Sequence, residues 1–218
     1  MGDVWAIVVA GGVGSRFGDA VPKQFLDLGG LRVIDWALAA AAAACDGVVA
    51  VLPGSHLDIT LLPGTVAVAG GPSRSASVRA GLAAVPADAG IVVVHDAARA
   101  LATPELFGRV VAAVRAGADG AVPGVAVPDT IKRVDPADGY VVETLDRPAL
   151  RAVQTPQAFS APVLRAAHAD GGEATDDAAL VEAAGGRVVV VEGDPANLKI
   201  TGPDDLERAE ALLTRRSL

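Results

Sequence analysis

Short apolar runs recur along this chain at Val4 to Val9, Val48 to Leu52, Thr65 to Ala69, Ile91 to Val94 and Ala121 to Val122, and helix-like stretches separate them. This spacing constrains the fold more than any other feature. Nearly continuous apolar strands are buried on both faces, so helices must cover both sides of the sheet they form. Right-handed crossovers then give an α/β, Rossmann-like, doubly wound and mostly parallel sheet. Helix starts punctuate the pattern: Ser73 before Arg74 to Val85, and Thr103 as N-cap with Pro104 ahead of Glu105 to Arg115. Further on, Ala152 to Gln154 and Arg187 to Val191 read as strands. Helices are expected from Ala161, from Thr175-Asp176-Asp177, and over Pro203 to Leu213. With 218 residues and a composition 51% hydrophobic but only 3% aromatic, residues 1–218 are read as a single domain with an Ala, Val and Leu core.

The alternation breaks after Val125. Val127 to Val134, a turn at Asp135 to Gly139, and Tyr140 to Leu145 predict a β-hairpin arm over about residues 127–149. An isolated two-stranded hairpin is marginal in water, so the arm predicts packing on a second subunit and a homodimer.

A formal charge of −8 leaves no net basic surface for nucleic acid. Cys45 is the single cysteine, so neither an intramolecular disulfide nor a thiolate metal cluster can form, and it is expected to be buried and inert. The nine apolar residues Ala37 to Cys45 are far short of the roughly 20 that span a bilayer and predict a core helix. With no basic segment ahead of an apolar run at the N-terminus, no membrane partner and a cytoplasmic location are expected.

The first strand runs into Ala10-Gly11-Gly12-Val13-Gly14-Ser15-Arg16, followed by Pro22-Lys23. Glycines at a strand-to-helix turn let backbone amides approach a phosphate, and a guanidinium with an ammonium suits a polyphosphate whose cleavage develops negative charge. The turn is not a P-loop, since Lys23 comes too late and precedes Gln24. Nor does it fit a dinucleotide fingerprint, because Phe17 stands where the third glycine belongs and Gly18 follows one residue late. A nicotinamide-dependent oxidoreductase, a non-catalytic binding module and a plain turn stay open on these residues alone. His95 and Asp96 would emerge beside this turn at the carboxyl end of the sheet. His95 is expected to pack or orient its loop rather than to transfer protons. Asp176 and Asp177 read as first-turn carboxylates, and His56 and His168 as exposed.

Seven segments, taken in order, carry a resemblance. They are the glycine turn with Pro22-Lys23-Gln24, Gly70-Gly71-Pro72-Ser73-Arg74, His95-Asp96-Ala97-Ala98-Arg99, Asp129-Thr130-Ile131-Lys132, Gln154-Thr155-Pro156-Gln157, Thr175-Asp176-Asp177 and Asn197-Leu198-Lys199-Ile200-Thr201. Together they resemble the 2-C-methyl-D-erythritol 4-phosphate cytidylyltransferases. The resemblance implies a nucleotidyltransferase that moves CMP from CTP to methylerythritol phosphate in non-mevalonate isoprenoid synthesis, with magnesium held mainly by the CTP phosphates and no dedicated protein metal site. It implies that Arg16 and Lys23 stabilise the transition state and that Arg147 and Lys199 position the acceptor phosphate. Ala10, Gly11, Gly12, Gly14, Ser15, Gly71, Ser77 and Asp96 would hold the nucleotide. Asp96, Arg99, Thr130, Arg147, Thr155 and Lys199 would hold the sugar phosphate, Thr130 and Arg147 reaching from the arm into the partner's site. Ala10-Gly11-Gly12 also resembles the ribitol 5-phosphate cytidylyltransferases, which keeps ribitol phosphate as the alternative acceptor.

Overall fold

The computed structural model describes residues 2–11 and 22–216, so Gly12, Gly14, Ser15 and Arg16 lie outside the described residues. Along the chain run β1 (Val4–Val9), β2 (Asp27–Leu28), β3 (Leu31–Arg32), α1 (Val33–Ala44), β4 (Gly47–Leu52), β5 (Thr65–Ala69), α2 (Arg74–Ala84), β6 (Ile91–Asp96), α3 (Pro104–Arg115) and β7 (Gly120–Ala126). Then follow β8 (Lys132–Val134), β9 (Val141–Thr144), β10 (Arg151–Val153), β11 (Gln157–Ser160), α4 (Ala161–His168), α5 (Asp177–Ala183), β12 (Val188–Glu192) and α6 (Pro203–Arg216).

Eight strands form the central sheet, in the order β10, β7, β11, β6, β1, β4, β5, with β12 also paired to β7. The β1–β4, β1–β6, β4–β5 and β7–β12 pairs are parallel. The sheet is mixed, because β11 runs antiparallel between β6 and β7 and β10 runs antiparallel to β7. Gln157–Ser160 carries no sequence signal for a strand, being four residues long with polar ends, yet its Phe159 is fully buried. The contribution of one such side chain is about 1.5–3 kcal/mol.

Alternate residues feed two cores, as the two-residue strand period requires. Val4, Ala6 and Val8 of β1 pack with Ile34 and Leu38 of α1 and Leu106, Phe107 and Val110 of α3. Ile7 of β1 joins Val78 and Leu82 of α2, Leu164 of α4 and Val181 of α5. Close approach of α2 to the sheet depends on Gly81, where a Cβ would meet Ile7 Cγ2 at 2.5 Å. A third cluster seats α6 against Leu28, Val33 and Ile200 through Ala209.

Several expectations change. Ser73 does cap α2, its hydroxyl accepting from Ala76 N at 3.0 Å, but Thr103 makes no side-chain cap at α3. Strand β6 continues through His95 and Asp96, and β7 runs for seven residues where only Ala121-Val122 stood out. The hairpin strands are shorter than the apolar pattern suggested, with β8 and β9 pairing antiparallel apart from the central sheet. His168 is buried rather than exposed, and His56 is half-buried, stacked on Phe25 at 4.6 Å. Cys45 is half-buried just beyond α1, where burial pushes its thiol up to about 12. Among the described residues, no helix is long and apolar enough to cross a membrane.

Candidate active site

Parallel register brings the two leading segments together. Val9 is paired with Asp96, so the chain leaving β1 and the end of β6 emerge side by side. Ala10 N donates to Val51 O at 2.8 Å and Gly70 N to Leu52 O at 2.7 Å, which draws Ala10, just after β1, and Gly70, just after β5, over the carboxyl end of β4. Between them lies a cleft of about 250 Å³ lined by Val9, Ala10, Gly11, Lys23, Gln24, Gly71, Pro72, Ser73, Arg74, Ser77, Asp96, Ala97, Ala98 and Lys199.

The glycine-rich turn before α2 is braced from within. Ser77 Oγ accepts from Gly71 N at 3.1 Å and donates to Ser73 O at 2.9 Å. Gly71 has no room for a side chain, as a Cβ there would meet Ala76 Cβ at 2.5 Å. On the opposite wall, Gln24 donates to Ala10 O and Lys23 Nζ donates to Ile200 O at 2.9 Å, so the segment after the glycine turn is anchored to the chain that carries Lys199.

Asp96 organises the charge. Lys199 Nζ lies 2.6 Å from its Oδ2 and Arg74 Nε 3.2 Å from its Oδ1. Burial alone would raise this carboxyl, but Arg74 and Lys199 outweigh that cost and hold it well below the usual carboxylate range. Its backbone is fixed too, since Asp96 N donates to Thr155 Oγ1 at 3.0 Å. Thr155 Oγ1 is also 3.0 Å from His95 Nδ1, and His95 Nε2 is 3.2 Å from Arg99 O. A carbonyl can only accept, so Nε2 carries the proton and the threonine hydroxyl donates to Nδ1. Burial lowers the His95 pKa to about 4, and the ring is neutral near pH 7. His95 therefore orients the strand end, as expected from sequence, and does not line the cleft.

The structure thus brings Ala10, Gly11, Lys23, Gly71, Ser77, Asp96 and Lys199 around one cavity. Thr155 stands behind Asp96, and Arg99 is turned to the carbonyls of Asn197 at 2.8 Å and Val153 at 3.4 Å, so neither lines the cleft. Arg147 and Thr130 are exposed at the arm, with Arg147 Nη1 donating to Pro128 O at 2.9 Å. Sequence reasoning singled out neither Arg74 as a site cation nor Asp177 beyond its helix start. Arg74 was visible only as a member of the Gly70 to Arg74 segment, because its two carboxylate partners lie 22 and 103 residues away.

Comparison with known proteins identifies the family. Residues 4–215 match the family model described as 2-C-methyl-D-erythritol 4-phosphate cytidylyltransferase. The chain belongs to that family. It is 49% identical to the enzyme of that name from Nocardia farcinica, over 99% of this chain and 96% of the relative. The corresponding figures for the Rhodococcus opacus enzyme are 50%, 97% and 96%. A solved structure of the Thermus thermophilus enzyme superposes with a TM-score of 0.82 at 38% identity, covering 98% of this chain and all of that one (100%). Members of the family are cytidylyltransferases that use CTP, and the central sheet with flanking helices is their fold.

Proposed function

We propose that this chain transfers CMP from CTP to 2-C-methyl-D-erythritol 4-phosphate, releasing pyrophosphate, as a step of isoprenoid synthesis. The observation that carries the reading is a cleft at the carboxyl end of the sheet lined by Lys23, Arg74 and Lys199, the last two paired with Asp96, the one carboxylate among the described cleft residues, beside the Gly71 turn. The described residues of this site offer positive charge and backbone to phosphates, and their one carboxylate is already paired with cations, which suits the joining of two phosphates.

An oxygen of the acceptor phosphate attacks the α-phosphorus in line. The new P–O bond forms as the bond to the β-phosphate bridging oxygen breaks, and the electron pair leaves with pyrophosphate. The nucleophile is already ionised, so no proton transfer is needed. Lys23, together with Arg16, neutralises the charge that builds on the α-phosphate and leaving group. Lys199 and Arg147 hold the acceptor phosphate, and Ala10, Gly11, Gly71 and Ser77 bound the nucleoside end. The family resemblance gives Gly12, Gly14 and Ser15 a share in holding the nucleotide. Thr155 and His95 keep Asp96 in register, and Arg99 ties this strand end to the Asn197 loop.

Asp96 is the one carboxylate among the described cleft residues, and it is already paired with two cations. These groups suit a magnesium ion held mainly by triphosphate oxygens, in keeping with that ion's few protein contacts. Bound there, magnesium supplies charge neutralisation between the phosphates. Arg147 and Thr130, exposed on the arm, complete the acceptor side of a partner's cleft in a homodimer.

Incubation with CTP, magnesium and methylerythritol phosphate is expected to release one pyrophosphate per CDP-methylerythritol formed. Turnover with ribitol 5-phosphate alone would reassign the acceptor, and no turnover with either would refute the transferase reading.

A further inference from the structure

Asp177 is fully buried, yet it is not one of the cleft residues. Its position at the start of α5 does not account for that burial, because the capping is done by Asp176, whose Oδ1 accepts from Ala179 N at 3.0 Å. Instead, Asp177 Oδ2 accepts from Arg74 Nη1 at 2.8 Å and its Oδ1 faces His168 Nε2 at 3.0 Å. A carboxylate with no exposure is costly unless its partners compensate for lost water, and here both oxygens are taken.

The effect on Arg74 is specific. A guanidinium offered one carboxylate tends to pair with it through two parallel hydrogen bonds. Here the fork is divided: Nη1 goes to Asp177, only Nε reaches Asp96, at 3.2 Å, and Nη2 is buried without a partner. Asp96 thereby keeps its Oδ2 for Lys199 at 2.6 Å. The order His168, Asp177, Arg74, Asp96, Lys199 links the end of α4 and the starts of α5 and α2 to the cleft wall.

We propose that Asp177, held by His168, is a positioning residue that tethers Arg74 so that Asp96 and Lys199 keep their places on the cleft wall. This rests on the transfer reaction given above. Asp177→Asn keeps the side-chain shape and a neutral acceptor but removes the carboxylate charge that holds the Arg74 guanidinium. Its amide can donate to His168 Nε2 once the imidazole proton moves to Nδ1, an atom that has no partner in the native protein.

Steady-state kinetics on the full chain test the tether. Asp177→Asn is expected to lower kcat about ten-fold or more while leaving KM for CTP within roughly two-fold, the split that lost positioning gives. Arg74→Lys should do the same, since an ammonium cannot span both carboxylates. Adding Asp177→Asn to Arg74→Lys should cost no more than roughly a further two-fold, because Asp177 acts through Arg74. Losses in kcat that multiply, or an unchanged kcat in Asp177→Asn, would overturn the proposal. Should Asp177→Asn not fold, His168 reads the same tether: His168→Gln, which keeps a donor, should restore most of the kcat that His168→Leu loses, and equal losses refute it. A wild-type chain with no turnover marks failure of the transfer reading instead. The tether is then judged by hydrogen exchange at Arg74 Nε, which must be about ten-fold faster in Asp177→Asn or His168→Leu than in wild type and, if unchanged, rejects it.

Discussion

The strand ends around Asp96 and the hairpin of β8 and β9 both carry ion pairs, but in opposite surroundings. All six residues of β6 are buried, whereas every residue of β8 and β9 is exposed. At the cleft, Asp96 has a side-chain exposure of 13% between Arg74 and Lys199, so each contact acts with little water to screen it. In the arm, Arg133 and Glu143 lie 3.0 Å apart at 60% and 50% exposure, where an ion pair contributes about 0–1 kcal/mol. The arm also displays Val134, Tyr140, Val141 and Val142, which the described residues of this chain leave exposed. Similar charge patterns therefore stand in different settings: the first is a buried, mutually paired cluster on the cleft wall, and the second is a solvated pair beside exposed apolar side chains.

Removing charge from the cleft is expected to have the largest effect. Lys23→Ala or Lys199→Ala should lower kcat by about 10²–10³-fold in a pyrophosphate-release assay. A loss of only a few-fold would mean that the cleft charges act no more strongly than those on the arm.

The arm should matter through a partner. Arg147→Ala alone is expected to weaken use of the acceptor. Mixing Arg147→Ala with Lys199→Ala protomers should then recover roughly a quarter of wild-type turnover, the share left when half the dimers are mixed and each has one intact site. Sedimentation should also show dissociation after deletion of the turn Asp135 to Gly139. No recovery on mixing would confine each site to a single subunit.

Proton linkage sharpens the contrast in stability. His95 has its folded pKa lowered to about 4 from 6.5, so the native state binds fewer protons than the unfolded chain between those values. Its contribution is complete above pH 6.5 and is lost as pH falls toward 4, a change on the order of 3 kcal/mol. Thermal denaturation should show midpoints falling across that window, and His95→Gln should flatten the fall. The smallest effect belongs to the arm pair: Glu143→Gln should alter unfolding free energy by less than about 1 kcal/mol in urea titrations.

The central sheet was largely legible because its strands are long apolar runs whose pattern is local. Val4–Val9 and Gly47–Leu52 are visible in any ten-residue window. Gln157–Ser160 was not, since four residues with polar ends acquire strand character only from their neighbours β6 and β7. His168 near a polar stretch read as exposed until Asp177, nine residues on, closed over it. Of the candidate site, the glycines, Lys23 and Asp96 stood out by residue type and position, Lys199 only through the family resemblance, and Arg74 only as the last residue of the Gly70 to Arg74 segment.

The sequence alone determined the alternating elements, the glycines at the strand ends and the ordered cations that mark a phosphate-handling family. Only the tertiary structure decided which cation meets which anion. Lys199 and Asp96 are 103 residues apart, as are Arg74 and Asp177, and no local periodicity encodes such pairs. They arise because parallel register sets the carboxyl ends of β1 and β6 side by side and the starts of α2 and α5 close over them, where burial turns scattered charges into one coupled network.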